Sequence, residues 1–559
     1  MSKHLQPQNM FTPHPSLSQT AASGVALFIV YRVLSYVYWQ LTTGAARRKI
    51  IREKGCKPLK RIPSKDPFFG IDILYELARE VKKHNALQWQ CELINRLGWS
   101  TASMHILRGQ TVLTTEPKVV QTILSLDFNS FGLGSIRDGL KPFLGEGIFS
   151  TDGAAWQHSR NLLRPCFVRS QVGDVELLER HLQHLLLRIP RDGSMVDLQP
   201  LFFKLTLDSS THFLFGESTG CLDPNSENER SLEFANAFDR CQSFSDKNIL
   251  LLMLDGLLPE FLKQGSQFNK DVKLIHNFVE AIIARSLSKG KGASESSTNY
   301  VFLHELISHT NDIVKIRSEL LNVLLAGRDT TAGFLSNIWF VLSQNPNVWA
   351  RLRAEVDALN GELPSFTKLK DMKYLKAVLN ETLRLYPIVP GNARQALRDT
   401  VIPVGGGEDG LSPFFVPKGT PISWDTYTMH RRKDLFGDDA ETFRPERWLD
   451  EDGRKGLRPG WEFLPFNGGP RICLGREFYP AFGPCPPQFV FRMVSRFPTT
   501  ILIFFGIEQF ALTEASYTTV RLMQEFESIE SRDSEPWTER LTLICTGLNG
   551  CKVSLTPRL

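Results

Sequence analysis

A glycine-rich segment around one cysteine, PFNGGPRICLG from Pro465 to Gly475, narrows the choice of folds for this chain. Its glycines permit tight turns and let another group approach the backbone closely. The amide groups of such a loop, together with Arg471 two residues before Cys473, would stabilise a thiolate. A lone cysteine is more often an inert buried side chain. The loop therefore predicts that Cys473 is a metal ligand or a nucleophile, provided that other segments of the chain indicate the same kind of site.

Composition excludes several classes of protein. The chain has 559 residues, of which 42% are hydrophobic and 22% charged, so it is globular rather than disordered, collagenous or coiled coil. A net charge of +5 is too weak to indicate a nucleic-acid partner. Nine cysteines without a CxxC pair or zinc-ligand spacing favour a reducing compartment. The length allows one large enzyme domain or several small ones.

An apolar stretch at residues 21–41 has nearly the length of a bilayer span. Arg32 interrupts it, and an arginine in lipid costs about 2.5–3.5 kcal/mol on insertion scales. A basic cluster at residues 47–61 follows, which predicts that the bulk of the chain faces the cytosol. A cleaved signal peptide is disfavoured because the basic cluster lies on the wrong side. A helix lying flat on the membrane is the other alternative, and either form predicts membrane association.

Helical periodicity dominates residues 175–359 and predicts a mainly helical domain with small peripheral sheets. The run from Arg317 to Gln344 is apolar on most faces and is stopped by Pro346, so we expect a buried central helix. Strand signals occur at Thr111 to Thr115 and from Leu541 onward, where we expect a hairpin around Asn549 and Gly550. We divide the chain into a tail (1–20), an anchor (21–41), a basic, proline-containing linker (42–66) and one domain (67–559).

The cysteine loop resembles that of the cytochrome P-450 superfamily of haem-thiolate monooxygenases. Phe466, Gly469, Arg471, Cys473 and Gly475 stand in the FxxGxRxCxG register of that family. The resemblance implies the P-450 fold, haem b as cofactor and the Cys473 thiolate as axial ligand of the haem iron. Thiolate ligation favours cleavage of the O–O bond.

Two further segments resemble the buried triad of the same family. Glu381 and Arg384 in NETLRLYP stand three residues apart, on one helix face where they can pair. They match the family's ExxR pair, and Arg447 in FRPERW matches the arginine that completes the triad. An ExxR pair alone would be a solvated salt bridge, but the order and spacing here support the resemblance.

The predicted central helix carries AGRDTTA, residues 326–332, which resembles the family's (A/G)Gx(D/E)T motif. A hydroxyl and a carboxylate inside an apolar helix are costly unless they have partners or a function. The resemblance implies that Gly327 leaves a notch for dioxygen, and that Asp329 and Thr330 relay protons for its activation. The alternative is a threonine that bonds back to a carbonyl of its own helix.

Haem carries two propionates that need cations. Trp156 and Arg160 in WQHSR resemble the family's WxxxR helix, whose two side chains bond a propionate. Arg394 in PGNAR and Arg471 are expected to reach the propionates too. Each residue alone is more often a surface side chain, but the set predicts a carboxylate-binding clamp.

From about Pro67 to the C-terminus the chain resembles most the fungal branch that hydroxylates n-alkanes and fatty acids at the chain end. The resemblance implies an alkane hydroxylase or fatty acid omega-hydroxylase that takes apolar substrate from membrane lipid of the endoplasmic reticulum, with its catalytic domain facing the cytosol. It also implies electrons from NADPH through NADPH-cytochrome P-450 reductase, with cytochrome b5 as a further partner. Because the chain has no dinucleotide fingerprint, that reductase is a separate chain. The segments that carry this resemblance are FFGID (68–72), residues 131–165, LLNVLLAGRDTTAG and FALTEASYTTVRLMQEF (510–526).

Residues 476–508 depart from the family. Relatives run from CLG through one or two residues into QFALTEA, whereas this segment inserts seven phenylalanines and five prolines. The prolines break any helical period, and an exposed segment this apolar is an aggregation hazard. We interpret it as a translated intron or an error of the gene model, with Gly475 joined almost directly to Gln509.

Three other functions stay open. A haem-thiolate isomerase or dehydratase that works without dioxygen is disfavoured because Asp329 and Thr330 are retained. A monooxygenase of fungal secondary metabolism would share the motifs and differ in substrate. A catalytically impaired haem-binding membrane protein would result if the insertion displaced the helix after the cysteine loop.

Overall fold

The computed structural model describes residues 17–66, 69–106, 109–134, 136–167, 175–225, 229–253, 266–288, 302–451, 453–474 and 510–558. The predicted mainly helical architecture with small sheets is confirmed. The first helices are α1 (Leu17–Leu41), α2 (Thr43–Glu53), α3 (Ile71–Lys82), α4 (Ala86–Leu97), α5 (Pro117–Gln121), α6 (Ile136–Leu144), α7 (Gly153–Leu163), α8 (Val175–Leu186) and α9 (Leu198–Phe215). They are followed by α10 (Glu229–Met253), α11 (Ser266–Ser288), α12 (Phe302–His309), α13 (Ile313–Gln344), α14 (Pro346–Asp357), α15 (Phe366–Asp371), α16 (Lys373–Leu385), α17 (Thr426–Met429), α18 (Lys433–Phe436) and α19 (Phe510–Glu525).

The strands form small sheets at the periphery. One sheet has the order β1-β2-β8-β5-β3, a second β4-β12-β9, and two hairpins pair β6 with β7 and β10 with β11. The strands are β1 (Thr101–Ile106), β2 (Gly109–Thr114), β3 (Phe131–Gly132), β4 (Met195–Asp197), β5 (Gly391–Ala396), β6 (Thr400–Gly406), β7 (Ser412–Val416), β8 (Pro421–Asp425), β9 (Phe526–Ser531), β10 (Glu539–Leu541), β11 (Cys545–Gly547) and β12 (Lys552–Pro557).

The predicted central helix is confirmed as α13, which begins a few residues earlier than its apolar pattern suggested. Asp312 caps its N-terminus, since its Oδ1 accepts hydrogen bonds from the amides of Val314 and Lys315 at 3.0 and 3.1 Å. Pro346 starts α14 directly after it. One apolar cluster packs α13 against α8, α9, α14, α16 and α19. A second packs its N-terminal half against α6, α7, α10, α11 and α12, so α13 is buried along most of its length.

The predicted C-terminal hairpin around Asn549 and Gly550 is wrong. The hairpin lies one turn earlier, because β10 pairs with β11 across residues 542–544. After Gly550 the chain leaves that hairpin, and β12 pairs with β4 and β9. Asp197 accounts for the change: its Oδ1 accepts the amide of Cys551 at 2.8 Å, and a Cβ on Gly550 would lie 2.3 Å from its Oδ2. A contact distant in sequence therefore overrides the local turn signal.

Helix α1 exposes large apolar side chains along its length, including Leu27, Phe28 and Tyr38 at 62–71%. Residues 24–53 are long and apolar enough, by length and composition, to cross a membrane. The segment predicted as a linker contains α2 and is fastened to the domain. Arg47 makes two 2.8 Å hydrogen bonds to the carboxylate of Asp399, and the amide of Ile62 donates to the carbonyl of Ser103.

Candidate active site

The cysteine loop is shaped by a glycine that no other residue could replace. Gly469 has φ +66°, and a Cβ there would lie 1.8 Å from the carbonyl oxygen of Leu124. The loop is closed by the amide of Cys473, which donates to the carbonyl of Phe466 at 3.1 Å. Cys473 itself is exposed at the tip. Of the predicted loop residues, Gly475 lies outside the described part of the chain.

Arginines converge beside this loop. Arg160 on α7 donates to the carbonyl of Ile472 at 3.0 Å, next to the cysteine. Arg471 donates to Asp152 at 2.7 Å, and its guanidinium lies 4.5 Å from the ring centre of Trp156. Trp156 and Arg160 on α7 therefore meet Arg471, which is distant in sequence, as the predicted propionate clamp requires.

The fourth predicted cation, Arg394 on β5, is buried and donates to neutral acceptors, the side chain of Asn392 and the carbonyl of Ala393. Burial, and then the positive charge of Arg471, lower its pKa to about 10. Burial lowers the pKa of Arg471 to about 10 as well, although Asp152 opposes this and Arg160 adds to it. A buried arginine is costly unless an anion neutralises it. These arginines therefore suit the two propionates of haem.

A fully buried ion network lies behind the loop. Both carboxylate oxygens of Glu381 accept from Arg384, at 2.8 and 2.9 Å, and Oε1 also accepts from Nε of Arg447 at 2.8 Å. Trp448, a partner that sequence reasoning missed, donates its indole N–H to Oε2 at 3.0 Å. Burial would raise the pKa of Glu381, but the hydrogen bonds and charges of its arginines outweigh burial and lower it.

His430 connects this network to the cysteine loop and was not singled out from the sequence. Its Nε2 accepts the amide of Leu464 at 3.1 Å, which leaves Nδ1 to donate to the carbonyl of Arg384 at 3.2 Å. Burial, and then the charge of Arg384, lower its pKa to about 3, so the ring is neutral at physiological pH. A histidine in MHRR carries no local signal for this role.

The motif of the central helix places its two polar residues in different surroundings. The hydroxyl of Thr330 donates to the carbonyl of Ala326, four residues back, at 2.5 Å, so the helix-bonded alternative describes its geometry here. A Cβ on Gly327 would meet Oγ of Ser210 on α9 at 3.2 Å, so this glycine permits close packing of two helices. Its predicted notch for dioxygen stays a prediction.

Asp329 is completely buried and forms an ion pair with Arg328 at 2.9 Å. Burial raises the pKa of Asp329 to about 7, although Arg328 pulls it down. Gln242 is close enough to lower it slightly, yet Oδ2 of Asp329 has no hydrogen-bond partner among the residues that the structure describes. A carboxyl group in this state can hold and release a proton near neutral pH. Arg328 carries the clearest signal that the sequence reasoning passed over, because it is a charged residue inside a buried helix.

The thiol of Cys473 can bind the iron of a porphyrin, and the arginines beside it can bind the carboxylates of the same porphyrin. This combination of residues defines a haem-thiolate protein. A family model described as Cytochrome P450 matches residues 72–478, and the chain belongs to that family. Cytochrome P450 monooxygenase himC of Aspergillus japonicus is 39% identical over 557 residues, 97% of this chain and 91% of that protein. Cytochrome P450 52A1 of Candida tropicalis is 37% identical over 576 residues, which cover 97% of this chain and 98% of that protein. Cytochrome P450 52A4 of Candida maltosa is 41% identical over 471 residues, 80% of each.

The predicted family and its fungal branch are thus confirmed. The protein is a cytochrome P450 monooxygenase, an oxidoreductase that incorporates oxygen, with haem b as its cofactor. Enzymes of this family need a redox partner to supply electrons.

Proposed function

We propose that this monooxygenase hydroxylates apolar aliphatic substrates, n-alkanes or fatty acids, at or near the chain end. The observation that supports it is similarity over 97% of the chain to a cytochrome P450 52 protein, together with the segments that resemble fungal alkane and fatty-acid hydroxylases. Cytochrome P450 monooxygenases of Aspergillus japonicus and Fusarium heterosporum are each 39% identical to this chain, and a substrate from fungal secondary metabolism is the second candidate.

In this proposal Cys473 binds the haem iron, and Trp156, Arg160, Arg394 and Arg471 hold the propionates. When bound, haem supplies the activation of dioxygen. The chain's own residues fix the position of the thiol. Gly469 lets the loop press against the turn at Thr122–Leu126, and the carbonyl of Phe466 closes the loop by accepting the amide of Cys473. Gly475, by its place in the motif, is proposed to bind haem with them. The triad of Glu381, Arg384 and Arg447 anchors the segment that precedes the loop.

Asp329 and Thr330 deliver protons in this proposal, and Gly327 leaves room for dioxygen. Oδ2 of Asp329 is the oxygen that can hold the proton, since Oδ1 faces Arg328. The hydroxyl of Thr330 can rotate from the Ala326 carbonyl and pass its proton on while it accepts another. Asp329 is fully buried, whereas Thr330 is partly buried.

We also propose that NADPH-cytochrome P-450 reductase supplies the electrons, with cytochrome b5 as a second donor, and that α1 anchors residues 67–559 on the cytosolic face of the endoplasmic reticulum. The exposed apolar side chains of α1 support this, because they would otherwise contact water. Removal of residues 1–41 should shift the protein from the membrane fraction toward the supernatant while α2 stays fastened through Arg47.

The carbon-monoxide difference spectrum of the reduced protein tests the ligand. Cys473→Ala should abolish the thiolate-type Soret band, whereas Cys56→Ala, a free cysteine away from the loop, should keep it. Retention of the band in Cys473→Ala would exclude this cysteine as the ligand.

Turnover with added reductase tests substrate and proton delivery. Laurate and hexadecane should give terminally hydroxylated products, and failure with both would favour the second candidate. Thr330→Ala should keep the Soret band but divert reductant from product to hydrogen peroxide. The neighbouring Thr331→Ala, the same chemistry at a position outside the proposed relay, should remain coupled. Equal coupling in both variants would remove Thr330 from the mechanism.

A further inference from the structure

Arg328 joins the buried Asp329 to a carboxylate at the surface. Its Nη1 lies 2.9 Å from Oδ1 of Asp329 and 2.6 Å from Oδ1 of Asp239 on α10. The side chains of Arg328 and Asp329 are 3% and 0% exposed, whereas that of Asp239 is 53% exposed. The same guanidinium nitrogen therefore contacts two carboxylates, a buried one on the central helix and a second one that is exposed to water.

Aromatic rings hold Arg328 in this position. Its guanidinium carbon lies 5.2 Å from the ring centre of Phe203 on α9 and 5.5 Å from that of Phe238 on α10. Two carboxylates thus share one cation that has little room to move. When both are ionised the cluster carries a net negative charge, which is costly at the buried member and not at the hydrated one.

Other polar and titratable groups of the described residues lie near this cluster. Gln242 on α10 faces Asp329, and Cys221, after α9, faces Arg328. Asp208 and Lys204 on α9 act on Cys221, and Asp208 already accepts three hydrogen bonds, from Thr219, Cys221 and Leu222, at 2.7–2.8 Å. Asp239 is therefore the carboxylate that shares Arg328 with Asp329.

We propose that Asp239 is a positioning residue for proton delivery, which competes for Arg328 and so lets Asp329 keep a proton at neutral pH. The proposal rests on the relay role proposed above for Asp329. Asp329 gives its proton to Thr330 and takes the next one from water, so the group is regenerated in each cycle. Asp239 itself touches neither substrate nor cofactor in this scheme.

Titration of the resting protein tests this without turnover. The infrared carbonyl band of a protonated buried carboxylic acid is followed against pH, and its loss in Asp329→Asn assigns it. Because burial raises the pKa of Glu514 to about 7 as well, all titrations are done in a Glu514→Gln background. Asp239→Asn should move the midpoint of the Asp329 band about one unit to lower pH, since Arg328 then pairs with Asp329 alone. The pH profile of product formed per NADPH should shift in the same direction.

Two variants control for charge and shape. Asp239→Glu keeps the charge and should hold the midpoint at its wild-type value. Glu233→Gln removes a charge from an exposed position on the same helix and should leave the midpoint unchanged. An unchanged midpoint in Asp239→Asn, or an equal shift in Glu233→Gln, would overturn the inference. Full coupling in Asp329→Asn would instead overturn the relay, whatever Asp239→Asn does to the band.

Discussion

Gly469 shows how one residue fixes the approach of the cysteine loop to its neighbour. Gly469→Ala should prevent haem incorporation, because its Cβ would lie 1.8 Å from a carbonyl oxygen that belongs to the backbone and cannot rotate away. The loop must then lift from Leu124, and Cys473 moves with it. The measurement is the Soret band of the reduced carbon-monoxide complex, together with the melting temperature.

Gly98→Ala separates the steric clash from backbone strain. Gly98 has φ +64°, close to that of Gly469, but a Cβ there would have nothing within 4 Å. We expect it to cost about 1 kcal/mol of stability and to keep the full Soret band. Equal loss of haem in both variants would show that strain, rather than contact with Leu124, fixes the loop.

Glu514 predicts a stability that depends on pH. It is buried on α19, its Oε1 accepts the Ser209 hydroxyl on α9 at 2.6 Å, and burial raises its pKa to about 7. Between pH 4.3 and 7 the native state holds a proton that the unfolded state has lost, so stability falls as pH rises, by about 4 kcal/mol in total. Glu514→Gln should flatten denaturant-measured stability over this window. Ser209→Ala, which removes a hydrogen bond that lowers this pKa, should extend the fall in stability to higher pH, and a wild-type pH profile in both variants would contradict the account.

At the scale of elements, the triad joins α16 to the segment before the cysteine loop. Glu381→Gln should destabilise the fold by about 3–5 kcal/mol, because the buried Arg384 loses its counter-charge and Arg447 loses one of two, the other being Asp439. Glu530→Gln, which breaks an exposed pair with Arg532, should cost less than about 1 kcal/mol. Denaturant midpoints of both variants measure the difference. Since the pKa of Glu381 is lowered, the triad's contribution is complete above about pH 4.3 and is lost only below it.

Elements were predictable where the signal was local. The apolar run of α13 and the proline that ends it identify the helix, and the ExxR spacing places two members of the triad. The hairpin around Gly550 was not predictable, because Asp197 draws that segment to β4. His430 was missed for the same reason, since its partners come from elements distant in sequence. Arg328 had a local signal, as a charged residue inside an apolar helix, and only its pairing with Asp239 on α10 required the folded chain.

At the scale of the whole molecule, residues 476–508 interrupt the sequence pattern of the family between the cysteine loop and α19. They lie outside the described residues, and the family match ends at residue 478, just inside them. The helix that follows them, α19, packs against α13 and α16 and belongs to the largest apolar cluster. The interpretation of residues 476–508 as a translated intron stays a prediction.

Deletion of residues 476–508 should then improve the protein. Its removal takes away seven phenylalanines and five prolines and links the loop of Cys473 almost directly to α19. We expect a larger fraction of haem-thiolate protein by carbon-monoxide difference spectrum and less aggregation than for the full chain. A shorter deletion, of the polar residues 289–301 between α11 and α12, removes neither phenylalanine nor proline, serves as the control and should bring no such gain. Sequencing of the spliced transcript decides the origin: a message that keeps the segment in frame, with a full Soret band from the complete chain, would show that the insertion is genuine.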